Sequence, residues 1–203
     1  ASPSAGIIFD NNEDYFDIAK KYQNNDISCL SILTDEKFFK GSDSDLVGIR
    51  EIVDIPIIRK DFILDSYQLY ESKMLGADCI LLILSMIDIA LAKDLEAEAI
   101  DIGLDVLIET HNRKEMDNAL TMKSELVGVN NRNLNDFTVD INNTISLTNT
   151  SVGDKIYVSE SGIKSRSDIN YILDKSPART FLVGESLMRS EKIEEQIRTL
   201  LSN

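Results

Sequence analysis

The sequence predicts an α/β fold: a parallel sheet whose strands alternate with helices and close into a (β/α)8 barrel. Three observations predict it. Apolar runs recur at a near-regular interval, amphipathic stretches lie between them, and nearly every run finishes in a polar or special residue.

The apolar runs are Ile27 to Leu33, Ile55 to Ile58, Cys79 to Leu84, Asp105 to Ile108, Leu126 to Val129, Lys155 to Val158 and Thr180 to Val183. Each starts between 21 and 29 residues after the one before. Most are β-branched or Leu-rich and apolar at adjacent positions, which is how strands buried on both faces of a parallel sheet read. Between them, Asp43 to Val53, Ile89 to Ile102, Arg113 to Met122 and Arg166 to Lys175 place apolar residues three and four apart, the period of a helix with one buried face. Gly76 and Gly103 stand where helices of this kind end. Strand, helix, strand implies right-handed crossovers and parallel pairing.

The run ends separate a closed barrel from an open doubly wound sheet. They are Thr34, Lys60, Ser85, Glu109, Asn130, Ser159-Glu160 and Gly184-Glu185. In a barrel such ends converge on one mouth, whereas an open sheet gathers its chemistry at a single switch point. Neither the G-x-G-x-x-G nor the G-x-x-x-x-G-K-[ST] nucleotide fingerprint occurs. Seven strands are one short of closure. Ile7-Ile8-Phe9 is too short, and too near the helix-like Glu13 to Gln23, to supply the eighth. The expectation is therefore a single barrel domain over 1–203 with its first strand upstream of Ala1.

Composition narrows the function classes. Asp and Glu outnumber Lys and Arg 35 to 21, for a net charge of −14. So acidic a chain suits solubility and fits poorly with nucleic-acid backbones, which need a basic surface. No apolar run reaches the roughly 18 residues of a membrane span, and no signal-peptide pattern opens the chain. Cys29 and Cys79 each sit in an apolar run and read as small core residues of a reduced, cytoplasmic protein. With two scattered cysteines and one histidine, no zinc site is expected.

The ordered motifs carry a resemblance. Ser31-Ile32-Leu33-Thr34 with Phe38-Phe39-Lys40-Gly41-Ser42, then Arg59-Lys60-Asp61-Phe62-Ile63, Leu107-Ile108-Glu109-Thr110-His111, Gly128-Val129-Asn130-Asn131-Arg132-Asn133-Leu134, Ser159-Glu160-Ser161-Gly162-Ile163 and Leu182-Val183-Gly184-Glu185-Ser186-Leu187 resemble the indole-3-glycerol-phosphate synthases. The match runs in order from Ala1 to about Arg198. It implies a TIM barrel and a carbon-carbon lyase of tryptophan biosynthesis. That enzyme closes a ring on 1-(2-carboxyphenylamino)-1-deoxyribulose 5-phosphate and then removes CO₂ and water, without cofactor or metal.

Such chemistry needs an acid to protonate a ketone and an acid-base pair to remove a hydroxyl. Lys60, at a strand end, is expected as a partly buried ammonium of lowered pKa, and the resemblance makes it the acid of ring closure. Glu109 is assigned to dehydration, and Glu160 to the reacting centre or to orienting Lys60. Asn130 is expected on the substrate's hydroxyls and Arg132 on its carboxylate. Ser161, Gly162, Gly184 and Glu185 form the turns after the last two strands, where barrels often bind phosphate; if only its backbone N–H is used there, the Glu185 charge points away. Ser2 resembles a substrate-touching serine. Phe39, Phe62, Leu81 and Leu134 would line an apolar pocket for the aromatic ring. His111 is not expected to be catalytic.

The resemblance also implies a further lysine and glutamate just upstream of Ala1, and a helical extension before them. On that reading the chain as it stands is expected to be weak or inactive. A monomer acting on a phosphorylated small molecule is expected. The competing readings are another phosphate-binding barrel, or a degenerate barrel kept as a binding or interaction module; intact Lys60, Glu109 and Arg132 argue against decay.

Overall fold

The computed structural model describes residues 15–150 and 153–202. Its strands are β1 (Leu30–Leu33), β2 (Ile57–Lys60), β3 (Cys79–Ile83), β4 (Asp105–Thr110), β5 (Leu126–Asn130), β6 (Ile156–Glu160) and β7 (Thr180–Leu182). They form one parallel sheet in sequence order, each paired with the next. The helices are α1 (Tyr15–Gln23), α2 (Asp43–Arg50), α3 (Tyr67–Leu75), α4 (Ile89–Asp101), α5 (Arg113–Ala119), α6 (Asn142–Thr148), α7 (Arg166–Lys175), α8 (Glu185–Met188) and α9 (Ile193–Leu201). Among the described residues, β1 and β7 each have a partner strand on one side only.

The sheet is strongly curled. Neighbouring strands lie about 4.8 Å apart, so a flat sheet would hold β2 and β6 roughly 19 Å apart. Yet Lys60 at the end of β2 reaches Glu160 at the end of β6 at 3.3 Å. The curl makes an inside and an outside, and strand alternation sorts residues between them. Outward residues such as Ile80, Leu82, Val106, Ile108, Val127 and Val129 pack with helix residues including Leu95, Met116 and Ile172 in the main core. Inward residues Ile58, Cys79, Leu81, Leu107 and Val158 form a separate buried cluster, joined by Ile83, Leu126 and Leu182. Both strand faces are apolar because both are covered, as the continuous runs foretold.

Local signals set the helix ends. Ser42, Asp88 and Asn112 accept hydrogen bonds from first-turn N–H groups of α2, α4 and α5, and Ser165 with Asp168 forms a capping box on α7. Gly76 ends α3 in the left-handed region at φ 94°, as expected of a C-cap glycine. The second strand starts at Ile57 rather than Ile55, since Pro56 has no N–H; its carbonyl accepts from Leu30 N at 2.8 Å. The helices α6 and α9 are additions to the sequence reading, as are the bounds of α3 and α8. On α3, Tyr67, Tyr70 and Met74 are exposed, which blurs its periodicity. Cys79 is buried as expected, but Cys29 is exposed: it precedes β1, and Leu30 is the residue that enters the core.

Candidate active site

The polar ends of β2, β4, β5 and β6 meet inside the curl. Lys60, Glu109, Asn130 and Glu160 are each the last or next-to-last residue of a strand, and register places them together: Glu109 lies opposite Gly128, and Asn130 opposite Glu160. Lys60 Nζ stands 3.3 Å from Glu160 Oε2 and 3.7 Å from Glu109 Oε2. The lysine is 20% exposed, whereas Glu109 and Glu160 are 3% and 1% exposed. Two carboxylates so deeply buried need a compensating cation, and Lys60 supplies it.

Electrostatics corrects one expectation. Burial pulls the Lys60 ammonium down, but the charges of Glu160 and Glu109 and their hydrogen bonds outweigh it, so its pKa is raised rather than lowered. The adjacent Asp61 belongs instead to Arg59 at 3.2 Å and to the Thr34 hydroxyl at 2.6 Å. The two carboxylates diverge. Burial pushes Glu160 up to about 7, with Glu109 adding to it and Lys60 opposing it. Glu109 is equally buried, but Lys60, His111 and Asn130 together hold it well below the usual carboxylate range. One acid and one base side by side follow from that split.

Gly128 is what lets Glu160 sit there. A Cβ at Gly128 would collide with Glu160 Oε1 and come 3.1 Å from its carboxyl carbon. Gly128→Ala is therefore expected to displace the Glu160 carboxylate from Lys60, cost about 2 kcal/mol of stability and lower kcat. Urea unfolding and steady-state kinetics check this, and a variant with unchanged kcat refutes the placement.

Asn130 is more engaged than the sequence suggested. Its amide donates to Glu109 Oε1 at 3.1 Å and its carbonyl accepts from Arg132 N at 3.0 Å, so it holds the site's own groups. Beside it, Asn131 is fully internal: it donates to Ser159 and to the Ser161 carbonyl and accepts from Thr144, tying β5, β6 and α6. Arg132 Nη2 reaches Glu185 Oε2 at 3.3 Å, and Glu185 also pairs with Arg189 at 3.1 Å. The Glu185 charge is thus not turned away but faces Arg132. Ser161 and Gly162 adopt consecutive left-handed conformations at φ 64° and 85°, and Gly184 is exposed before α8.

Phe39 stacks on Phe62 with centroids 5.6 Å apart, and Phe38 meets Phe62 edge-on at the same distance. Phe38 joins a cluster in which only its two neighbours were expected. Leu134 is exposed on the loop after β5. Leu81 is 1% exposed within the interior cluster, two residues before Ile83, the register partner of Glu109. It packs beneath the polar layer rather than lining open space. Ser2 lies outside the described residues. His111, set aside on sequence, is at the site: its Nε2 lies 3.1 Å from Glu109 Oε1. Its position next to a strand-end glutamate was the signal available. Among the described residues no cluster of metal-ligating side chains occurs, and no helix is long and apolar enough to cross a membrane.

Comparison with known proteins agrees with this geometry. A solved structure of thiamine phosphate pyrophosphorylase from Pyrococcus furiosus superposes with a TM-score of 0.69 at 12% identity, over 93% of this chain and 88% of that one. The tryptophan synthase a2b2 complex from Pyrococcus furiosus gives 0.67 at 13% identity, over 93% and 92%. At such identities the likeness concerns the fold alone. Sequence relatives are nearer. The indole-3-glycerol phosphate synthase of Azospirillum brasilense is 47% identical over 205 residues, covering 100% of this chain and 76% of that protein. That of Burkholderia lata is 44% identical, covering 97% and 75%. The profile of the family described as indole-3-glycerol phosphate synthase matches residues 1–200. With strand-end residues of its motifs assembled around one lysine, the chain belongs to the indole-3-glycerol phosphate synthase family.

Proposed function

We infer that this protein forms indole-3-glycerol phosphate from 1-(2-carboxyphenylamino)-1-deoxyribulose 5-phosphate, releasing CO₂ and water. The observation that carries the reading is the Lys60 ammonium fixed between Glu109 and Glu160 at the mouth end of the sheet. The aromatic carbon bearing the carboxylate attacks the ketone carbon, and the ketone oxygen takes a proton to become a hydroxyl. Carbon dioxide leaves, returning its bonding electrons to the ring. A proton and the new hydroxyl then depart as water.

Lys60 serves the first step. Its raised pKa keeps it charged, and the alkoxide growing on the ketone oxygen is a far stronger base than an amine, so the proton still transfers and the charge stabilises the oxyanion beforehand. Glu160, near neutrality, can protonate the departing hydroxyl, while the ionised Glu109 accepts the proton lost in dehydration. Asn130 orients Glu109. Arg132 offers its planar fork to the anthranilate carboxylate, and Phe39 and Phe62, with Leu134 on the flanking loop, form the ring's apolar side. The turns at Ser161-Gly162 and Gly184-Glu185 would hold phosphate through backbone N–H groups, with Ser2 adding a hydroxyl. No cofactor or metal enters the scheme.

The remaining expectations stand with this reading. The chain forms one barrel domain over 1–203. It acts as a cytoplasmic monomer on a small phosphorylated molecule, with no nucleic-acid partner. The interaction-module alternative is not favoured, since a decayed site would not keep two buried carboxylates compensated by one lysine.

The test is the fluorescence of the indole product from synthetic substrate. Turnover supports the reading; a folded protein giving no product and no substrate binding sinks it. Arg132→Met is expected to raise KM about tenfold, the loss of one charge-assisted contact, with a smaller change in kcat. An unchanged KM would remove Arg132 from the carboxylate site.

A further inference from the structure

His111 is the one histidine of the chain, and both its ring nitrogens face carboxylates. Nδ1 lies 3.1 Å from Glu115 Oε2 on α5, and that same oxygen accepts from the His111 backbone N at 2.7 Å. Nε2 lies 3.1 Å from Glu109 Oε1 at ion-pair distance, without an aligned hydrogen bond. The side chain is 11% exposed. A neutral imidazole has one N–H, and its bare nitrogen would then face a carboxylate lone pair; only the imidazolium, with an N–H on each nitrogen, faces both carboxylates without that repulsion. From α6, Asn143 donates to the His111 carbonyl at 3.2 Å. Lys60 of β2 and Glu160 of β6 lie beyond Glu109, with Lys60 on its other oxygen.

We propose that His111 is a positioning residue for Glu109: an imidazolium clamped between Glu115 and Glu109 that keeps the Glu109 carboxylate ionised and aimed toward Lys60. The proposal rests on the reading above that Glu109 is the working base. Glu109 would then face a cation on each oxygen, Lys60 on Oε2 and His111 on Oε1. Although burial opposes the charged ring, its contacts with Glu109 and Glu115 raise its pKa to about 9, and Glu115 is lowered in return. The paired shifts agree with a charged clamp.

A single histidine makes the direct test unambiguous. Nitrogen NMR of the holoprotein is expected to show both ring nitrogens protonated at pH 7.5, titrating near pH 9, with Glu115→Gln moving that titration lower. A wild-type ring that is neutral at pH 7.5 overturns the proposal, whatever the activity proves to be. Linkage adds a second readout. A pKa raised from 6.5 to about 9 on folding gives stability that is complete below pH 6.5 and lost as pH rises through 9. The urea midpoint of the wild type should fall across that window, and that of His111→Gln should fall less; equal slopes count against the clamp. In kinetics, His111→Gln is expected to lower kcat about tenfold through loss of the Glu109 carboxylate's aim, with KM retained and the acid limb of kcat shifted to higher pH. Should His111→Gln fail to fold, Glu115→Gln carries the same kinetic prediction. Product formation with an unmoved acid limb in both variants overturns the positioning role alone. Absence of both product and substrate binding in the folded wild type overturns the functional reading, and the NMR result then judges the clamp by itself.

Discussion

Lys60→Met is expected to lower kcat by about a thousandfold or more, because one side chain serves as both proton donor and counter-charge. Methionine keeps the bulk of the stem but removes the ammonium that stands 3.3 Å from Glu160 and 3.7 Å from Glu109. With no cation between them, two carboxylates buried to this depth cannot both stay ionised, and one takes up a proton. The variant can therefore fold, with Glu160 neutral through the physiological range and Glu109 raised. What it cannot do is protonate the ketone oxygen or hold the charge that develops there. Lys60→Arg should not rescue it. A guanidinium keeps its proton too firmly to donate it and spreads its charge over a plane rather than concentrating it at one point. The measurement is kcat and KM for both variants beside circular dichroism to establish folding. Retention of kcat within a few-fold in folded Lys60→Met would remove Lys60 from the chemistry.

Much of this site was legible in the sequence because strand ends are geometrically special. A polar residue closing an apolar run has few structural excuses, and Lys60, Glu109, Asn130 and Glu160 all stood out for that reason. Their convergence followed from the barrel reading, and the curl of the sheet bears it out. What could not be read were consequences of who meets whom. The pKa of Lys60 was expected to fall because its burial is local information; its rise depends on carboxylates 49 and 100 residues away in sequence. The direction of the Glu185 charge was left to whether only its backbone N–H is used, because nothing local pairs its side chain with Arg132, 53 residues away. His111 was set aside because the resemblance implies no catalytic role for it and the chemistry can be assigned without it; only the fold shows it between two carboxylates. Cys29 failed for the opposite reason: its apolar neighbours suggested burial, but the strand begins one residue later.

The motif around Lys60 contains a second charge whose loss should matter chiefly to stability. Alternation along β2 sends Lys60 inward and Arg59 outward, where Arg59 is 3% exposed among the helices. Its guanidinium uses its whole fork. Nε donates to Thr34 at 3.0 Å, Nη1 meets Glu71 at 2.8 Å and Ser72 at 3.2 Å, and Nη2 reaches Asp43 at 3.0 Å and Asp61 at 3.2 Å. One side chain thus joins the end of β1, the first turn of α2, the body of α3 and the loop after β2. Arg59→Met would fill much of the volume but leave three carboxylates around an apolar stem. Removing one partner from a buried ionic network costs about 3–5 kcal/mol, and the partial exposure of Asp43 and Glu71 sets the lower end, about 3 kcal/mol, as the expected loss. Asp61 deserves separate notice, since its carboxylate also accepts from Thr34 and would keep that bond, which limits the damage to the loop. The urea midpoint should drop accordingly. Activity per folded molecule should fall far less than in Lys60→Met, since the inward face of β2 is untouched. If Arg59→Met unfolds at the wild-type urea concentration, the ionic hub contributes nothing net and hydrophobic packing alone holds α2 and α3 to the sheet; if it stays stable but loses kcat, the outward hub sets the position of Lys60 after all.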